Sequence, residues 1–181
     1  MDDTFTHIIV GAGSAGCLVA NRLSSKSSNH ILLLESGDWD SGFWTKIPVG
    51  YFRTINNPKV TRHTLTEPSA TISGRSIDWP RGHVVGGSSS VNGLAFIRGQ
   101  KENFDRWADL GLTGWSYDDV LPFFRKLENF TGEPSQFHGN FGEVQVSELR
   151  NHHPYCKAWV EAGVELGIPE NPDFNSDQSY G

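Results

Sequence analysis

The sequence predicts an α/β fold built on parallel strands, and three observations support this prediction. The apolar, β-branched run FTHIIV at 5–10 leads into a glycine-rich turn, GAGSAG. The segment CLVANRLSS follows with apolar residues at helical spacing, and a second apolar run, HILLLE, ends at Glu35. Strand, turn, helix and strand within about 30 residues make one βαβ unit. Both runs are typical of strands buried in a parallel sheet.

Composition limits the class of protein. A chain of 181 residues with 36% hydrophobic and 20% charged residues can form one domain, or one and a fraction. Its net charge of −6 repels phosphate backbones, so nucleic-acid binding is not expected. Cys17 and Cys156 provide neither a disulfide framework nor a metal site. Without a membrane-length apolar run or a secretory signal at its acidic start, the sequence predicts a cytoplasmic protein.

The rest of the chain divides into an irregular part and a regular part. Residues 36–80 predict a long excursion with one short extended piece before Pro80. Further elements are predicted as a helix at 100–111, a helix at 117–130, a strand at 142–147 and a helix at 153–167. Phe104 and Trp107 face inward in the first of these helices, and Ser116 is the N-cap of the second. The apolar stripe of the last helix consists of Tyr155, Trp159, Ala162 and Leu166.

The first glycine-rich turn matches the dinucleotide-binding pattern G-x-G-x-x-G. Gly11 allows a tight turn, Gly13 lets a pyrophosphate approach the backbone, and Gly16 lets the helix lie close to the strand. Glu35, about 20 residues further on, can accept hydrogen bonds from ribose hydroxyls and disfavours a 2′-phosphate. The predicted site also includes Ala12, Ser14, Ala15 and Ser36. FAD and NAD both present an ADP half to such a turn, so the pattern leaves the choice between them open.

A second small-residue stretch, WPRGHVVGGSSSVNGLAF, occupies 79–96. Its glycines and serines favour close approach of backbone N–H groups to a ligand. A serine nucleophile is not indicated, because the stretch lacks G-x-S-x-G and no acid–His pair is placed to activate a hydroxyl. The sequence therefore predicts a second ligand-binding loop here.

Several longer motifs carry a resemblance to one family. They are TEP at 66–68, WPRG at 79–82, GGSSSVNG at 86–93, IRG at 97–99, FDRW at 104–107, GWSYDDVLPFFRKLE from 114, FHGNFGEVQVS from 137 and NPDFN at 171–175. Together with the βαβ unit, they resemble the glucose–methanol–choline (GMC) family of FAD-dependent oxidoreductases. The resemblance implies that the second loop lies along the flavin side of FAD. The residues it assigns there are Val85, Gly86, Gly87, Ser88, Asn92, Gly93, Leu94 and Ala95.

Two positions depart from the family pattern. His83 stands where relatives usually carry Lys or Arg, so its role stays open. Val91 stands where some members carry a histidine bonded to the flavin, which implies noncovalent FAD here. The catalytic histidine of the family lies near the C-terminal end of much longer chains, so no catalytic residue is assigned within this chain.

The resemblance also implies an organisation and a function. Residues 1–150 are expected to form the N-terminal part of a Rossmann-like FAD-binding domain, and 151–181 to begin an α+β substrate domain. Two parallel strands alone leave open edges and an uncovered face, so the rest of the sheet is expected from a C-terminal portion that associates with this one. Three functions stay open: an alcohol oxidoreductase that transfers hydride to flavin, an FAD-containing hydroxynitrile lyase, or a non-catalytic chain that binds a dinucleotide or a partner. The isolated chain is expected to be inactive.

Overall fold

A computed structural model describes residues 4–178 and 180, and it confirms the α/β fold. Strand β1 (His7–Val10) leads through the glycine turn into helix α1 (Ser14–Ser24), and strand β2 (Ile31–Leu34) follows. The two strands pair in parallel, from His7 opposite Ile31 to Val10 opposite Leu34. The chain forms two compact units, Met1–Ala95 and Phe96–Gly181. The expected domain boundary near 150 concerns a longer protein and stays a prediction.

The open edges and uncovered face expected of two parallel strands alone are found in the sheet of β1 and β2. Among the described residues their sheet has two strands only, so nothing covers its outer edges or its second face. Ile8 is 61% exposed and Val10 is 83% exposed. The most buried apolar residues of the first unit are instead Ala12, Val84 and Val91, which lie in or beside the two glycine-rich stretches. The core of this unit therefore lies directly beneath those stretches.

The excursion over 36–80 is more regular than the sequence predicts. It contains short 3₁₀ turns at Phe43–Lys46, Pro48–Gly50 and Ala70–Ile72 and the four-residue helix α2 (Tyr51–Thr54). Strand β3 (Thr61–Leu65) pairs antiparallel with β4 (Asp78–Gly82), which overlaps the extended piece predicted before Pro80 and continues through Pro80 to Gly82. Pro80 is tolerated because a two-stranded sheet consists of edge strands.

A histidine–carboxylate contact joins these two strands. In β3, His63 places its Nδ1 2.7 Å from Oδ2 of Asp78 in β4 and its Nε2 2.9 Å from the carbonyl oxygen of Ile55. The hydrogen bond to Asp78 is the largest cause that raises the pKa of His63 above 6.5, and the bond to Ile55 adds to it. The protonated ring can donate to both oxygen atoms at once.

We expect this contact to stabilise the β3–β4 pair mainly at acidic pH. Because the pKa of His63 is raised from 6.5, the added stability is fully present below about pH 6.5 and is lost as the pH rises through the raised pKa. An NMR titration of the His63 ring should give a midpoint above that of histidine in the urea-unfolded chain. Asp78→Asn should lower this midpoint, and an unchanged midpoint in that variant would contradict the assignment.

The second unit is built around an aromatic cluster between helices α3 (Lys101–Asp109) and α4 (Tyr117–Leu127). The ring of Phe104, which is buried as predicted, lies 5.3 Å from Trp107, 6.2 Å from Tyr117 and 5.7 Å from Phe124 between ring centroids. Trp107 was also predicted to face inward, but it is 42% exposed. Ser116 caps α4 as predicted, and it forms a full capping box with Asp119. These contacts fix the two helices against each other.

Strand β5 (Glu128–Phe130) was not predicted, because the α4 pattern continued through 130. It pairs in parallel with β6 (Val144–Val146), which lies inside the predicted strand at 142–147. The chain leaves the helical conformation at Glu128, whose φ of −89° and ψ of 138° are extended. The side chain of Glu128 is fully buried in this conformation.

A buried polar network surrounds Glu128. Its Oε2 accepts a 2.7 Å hydrogen bond from Arg98, whose side chain is 3% exposed, and another at 3.0 Å from the Gly139 N–H. His138 lies with Nδ1 3.0 Å from both Glu128 oxygens and Nε2 2.9 Å from Asp173. The sequence did not predict a partner for His138. The network connects segments that are distant in sequence. Arg98 binds Glu128, 30 residues away, through its side chain, and its backbone N–H donates to Asn175, 77 residues away.

Helix α5 (Pro154–Glu165) confirms the last predicted helix, and His153 caps it by accepting a hydrogen bond from the Tyr155 N–H. Its apolar stripe is nevertheless uncovered: Tyr155 is 81% exposed, and Trp159 and Leu166 are each 83% exposed. Among the residues that the structure describes, no helix is long and apolar enough to cross a membrane.

Candidate dinucleotide-binding site

The first glycine turn has the backbone geometry that its sequence predicts. Gly11, directly after β1, has a φ of +94°, which favours glycine. A Cβ atom on Gly16 would collide with the carbonyl oxygen of Gly11 and would lie 3.5 Å from the Cγ2 atom of Ile9. Gly16 therefore allows α1 to approach β1, as expected.

The N-terminus of α1 is open to a ligand. Gly13, the N-cap residue, is extended and provides no side-chain cap. The backbone N–H groups at the start of a helix have no partners within the helix, and the helix dipole gives them a partial positive charge. Ser14, Ala15 and Gly16 contribute these groups, which together form a favourable position for a pyrophosphate.

Glu35 follows β2 and connects the first turn to the segment after this strand. Its Oε2 accepts a 2.7 Å hydrogen bond from the Ala12 N–H, and its Oε1 accepts one at 2.8 Å from Gly37. The N–H groups of Gly37 and then Ala12 lower the pKa of Glu35 below 4.5, so the carboxylate is ionised at neutral pH. Each oxygen keeps a lone pair for a further donor. The contact with a ribose hydroxyl stays a prediction.

The second glycine-rich loop lies directly against the first turn. The Gly86 N–H donates a 2.7 Å hydrogen bond to the carbonyl oxygen of Ala12, and Gly13 and Gly86 form a parallel bridge. A Cβ atom on Gly87 would lie 2.8 Å from the Cα atom of Gly13. The sequence predicts that both stretches meet one ligand, but not that their backbones touch. Their contact makes one continuous backbone surface.

A second set of contacts holds the loop beside Glu35. The Val85 N–H donates a 2.9 Å hydrogen bond to the carbonyl oxygen of Asp38. A Cβ atom on Gly37 would collide with the backbone of His83, so the two segments touch without intervening side chains. The Nε2 atom of His83 lies 2.9 Å from Oγ of Ser36. The structure thus places His83, whose role the sequence left open, next to Ser36, a predicted site residue.

The three consecutive serines support the loop itself. The Ser88 hydroxyl accepts a 3.1 Å hydrogen bond from the Gly82 N–H, Ser89 donates to Gly86 at 2.6 Å, and Ser90 donates to Val85 at 3.1 Å. Because these hydroxyls are bound to nearby backbone groups, they stabilise a 3₁₀ turn at Gly87–Ser90. These contacts agree with the argument from sequence against a serine nucleophile.

The far end of the loop is strained and borders a cleft. Leu94 has a φ of 61°, which is uncommon for a residue other than glycine, and its N–H donates to Oδ1 of Asn92 at 3.0 Å. Strain of this kind tends to occur at functional sites. Nearby is a cleft of about 240 Å³. Its lining residues are Trp44, Thr45, Lys46, Ile47, Pro48, Tyr51, Ser89, Ser90, Asn92 and Leu94.

Sequence reasoning missed one wall of this cleft. Trp44 and Tyr51 belong to the irregular excursion, where no periodicity identifies inward-facing side chains. Tyr51 approaches the predicted loop closely, since a Cβ atom on Gly93 would lie 4.0 Å from the ring of Tyr51. Aromatic residues in an otherwise polar excursion were the available signal. Trp44 and Tyr51 form an apolar wall beside the loop residues that are predicted to border the flavin.

Known proteins resemble this chain in both sequence and fold. A sequence profile described as GMC oxidoreductase matches residues 5–181. The chain is 38% identical to an oxygen-dependent choline dehydrogenase from Photobacterium profundum, with 100% of this chain and 32% of the relative covered. It is 40% identical to an alcohol dehydrogenase [acceptor] from Pseudomonas putida, with 98% of this chain and 32% of the relative covered.

Solved structures share the same architecture. The crystal structure of pyridoxine 4-oxidase from Mesorbium loti superimposes with a TM-score of 0.85 at 31% identity, covering 94% of this chain and 34% of the oxidase. A fungal aryl-alcohol oxidase, at 22% identity and a TM-score of 0.74, shows the fold alone. The chain spans about a third of the length of the curated relatives it matches. With the profile matching residues 5–181, the chain belongs to the GMC oxidoreductase family.

Proposed function

We propose that this chain forms the FAD-binding part of an enzyme that oxidises a small-molecule alcohol. The observation that carries the proposal is the direct backbone contact between the GAGSAG turn and the second glycine-rich loop. This contact places two surfaces of bare backbone side by side, as an extended dinucleotide requires. Named relatives that act as choline and alcohol dehydrogenases, and a structural neighbour named as an oxidase, support the reaction class.

The residues present fit the ADP half of such a cofactor. The open N-terminus of α1 provides N–H groups for a pyrophosphate, and glycine at position 13 leaves no side chain in front of them. The ionised Glu35 can accept hydrogen bonds from a ribose and repels a 2′-phosphate. These features favour FAD or NAD over their 2′-phosphorylated analogues, and the second loop favours FAD.

The residues predicted for the flavin half are backbone donors and small side chains. In this proposal Val85, Gly86, Gly87 and Ser88 lie along the pyrophosphate and flavin, and Asn92, Gly93, Leu94 and Ala95 border the isoalloxazine. These residues would hold FAD, and acceptance of a hydride from the alcohol carbon is the chemistry that the cofactor would supply. The protein groups in this chain bind and orient that cofactor.

We propose that the FAD is bound noncovalently. Val91, which occupies the position of the linking histidine in some relatives, is 5% exposed, and its apolar side chain has no nucleophilic atom. Its side chain packs into the core of the first unit instead of reaching a ligand. This supports attachment by hydrogen bonds and packing alone.

The catalytic base and most of the substrate pocket are proposed to come from a C-terminal portion outside these residues. The chain covers only 32% of the relatives' length, and the exposed apolar faces of β1, β2 and α5 provide surface for such a portion to cover. The isolated chain is therefore proposed to bind FAD without oxidising alcohols. The relatives reported are oxidoreductases, which disfavours the lyase alternative. Location in the cytoplasm stays a prediction.

Cofactor binding by the isolated 181 residues tests this proposal. We expect FAD to co-elute with the chain in gel filtration, to be released by acid, and to leave no fluorescent band after denaturing electrophoresis. ADP should compete with FAD, because both use the α1 end of the site. Preferential binding of NAD, or binding of neither dinucleotide, would contradict the assignment. A fluorescent band would refute noncovalent attachment alone.

A further inference from the structure

We infer that His83 is a positioning residue for the ribose end of the site: it holds the Ser36 hydroxyl beside the Glu35 carboxylate, so that two neighbouring side chains meet an unphosphorylated adenosine ribose. The inference rests on the proposed function and adds a specific contact to it. Its basis is the 2.9 Å distance between Nε2 of His83 and Oγ of Ser36.

The backbone around His83 is fixed on both sides, so the position of its ring is defined by the fold. The His83 N–H donates a 2.7 Å hydrogen bond to the carbonyl oxygen of Val60. The next residue, Val84, is fully buried, and Gly37 packs against the backbone of His83 without room for a Cβ atom. A ring anchored in this way can hold the Ser36 side chain in one orientation.

Ser36 lies where a ligand at Glu35 can reach it. The chain bends at 36–37, immediately after β2, and Ser36 is exposed while Glu35 is half-buried. A serine hydroxyl has one donor and two acceptor sites. After its contact with His83, Ser36 therefore keeps hydrogen-bonding capacity for a second partner. It is adjacent in sequence to a carboxylate that already faces the first glycine turn.

The charges at this end of the site are complementary to a ribose diol. The N–H groups of Gly37 and Ala12 are the largest causes that lower the pKa of Glu35, and the charge of His83 adds to them. Glu35 can therefore only accept hydrogen bonds, whereas Ser36 can donate or accept. Since the two ribose hydroxyls each donate and accept, one can bind Glu35 and the other Ser36.

Binding of ADP and its deoxyribose analogues to the full chain tests the inference. The dissociation constants are measured by calorimetry for the wild-type chain, Ser36→Ala, His83→Ala, the double variant and His83→Gln. We expect each alanine variant to bind ADP about 3- to 10-fold more weakly, as for the loss of one hydrogen bond. The double variant should bind no more weakly than the weaker single variant, because both lose the same contact.

Two further comparisons separate positioning from a general effect on structure. His83→Gln places an amide near the position of Nε2 and should restore binding to within about 2-fold of the wild-type chain. Ser36→Ala should bind one of the two analogues, 2′-deoxy-ADP or 3′-deoxy-ADP, as tightly as the wild-type chain binds it. That analogue is the one that lacks the hydroxyl bound by Ser36. His152→Gln, an exposed histidine outside the site, serves as the matched control and should leave binding unchanged.

The outcomes distinguish this inference from the proposed function. If the wild-type chain binds no ADP, the proposed function fails and this inference fails with it. Three results overturn the inference alone while ADP binding stands. They are unchanged binding in the alanine variants, additive losses in the double variant, or an equal Ser36→Ala penalty for ADP and both deoxy analogues.

Discussion

Glu128→Gln is expected to lower the free energy of unfolding of the second unit by about 3–5 kcal/mol. The side chains of Arg98 and Glu128 are 3% and 0% exposed and 2.7 Å apart. The neutral amide leaves the guanidinium of Arg98 buried without a countercharge. It also presents an NH₂ group where Glu128 now accepts from Arg98, Gly139 and His138. Removing one partner of a buried ion pair costs more than removing an exposed charge.

Urea denaturation of the full chain, followed by circular dichroism and tryptophan fluorescence, measures this effect. Glu165→Gln is the matched control, because Glu165 ends the exposed helix α5 and its loss should change stability by less than about 0.5 kcal/mol. The double replacement Arg98→Met with Glu128→Leu should lose less stability than Glu128→Gln, since it buries no unpaired charge. Similar stabilities for Glu128→Gln and Glu165→Gln would show that the buried pair contributes little.

Gly87→Ala is expected to separate the two glycine-rich stretches and to cost about 2–5 kcal/mol of stability in the first unit. The new Cβ atom would lie 2.8 Å from the Cα atom of Gly13, which is part of the backbone and cannot rotate away. The φ of +59° at Gly87 adds a conformational penalty for alanine. Because Gly13 is the N-cap of α1, the displacement acts where the pyrophosphate is proposed to bind.

Gly74→Ala isolates the conformational part of this penalty. Gly74 has a φ of +72°, similar to that of Gly87, but an added Cβ atom meets nothing within 4 Å. This control should therefore lose about 1–2 kcal/mol and keep its affinity for ADP. Gly87→Ala should lose more stability than Gly74→Ala and should bind ADP at least about 10-fold more weakly, since the surface itself is displaced. Equal losses of stability with ADP affinity retained in both variants would refute direct packing of the loops as a requirement for the site.

The parts of this protein that the sequence predicts are those whose physical cause is local. The tight turn at Gly11, the close approach at Gly16 and the cap at Ser116 each depend on residues within a few positions, and the structure confirms them. The GMC resemblance rests on such segments in a fixed order. It identifies the family because long ordered motifs rarely arise by chance.

The features that the sequence did not predict depend on distant partners. The Arg98–Glu128 pair spans 30 residues and the contact between His138 and Asp173 spans 35, and no spacing rule connects them. The sequence predicts the β5 segment as the end of a helix, because Phe130 continues the helical period, whereas the backbone is already extended at Glu128. The exposure of Ile8, in contrast, was expected, because two parallel strands alone leave one face of their sheet uncovered.

The core of the first unit has a consequence for how a cofactor and the fold are linked. Ala12, Val84 and Val91 are the most buried apolar residues of that unit, and they belong to or adjoin the segments that would bind a dinucleotide. The hydrophobic core of this unit is therefore in direct contact with the segments that would bind the cofactor. Cofactor binding and folding of this unit are then linked. A cofactor at about 100 times its dissociation constant would add about 2.7 kcal/mol to the free energy of unfolding. Cofactor supply would therefore govern how long the folded chain survives proteolysis.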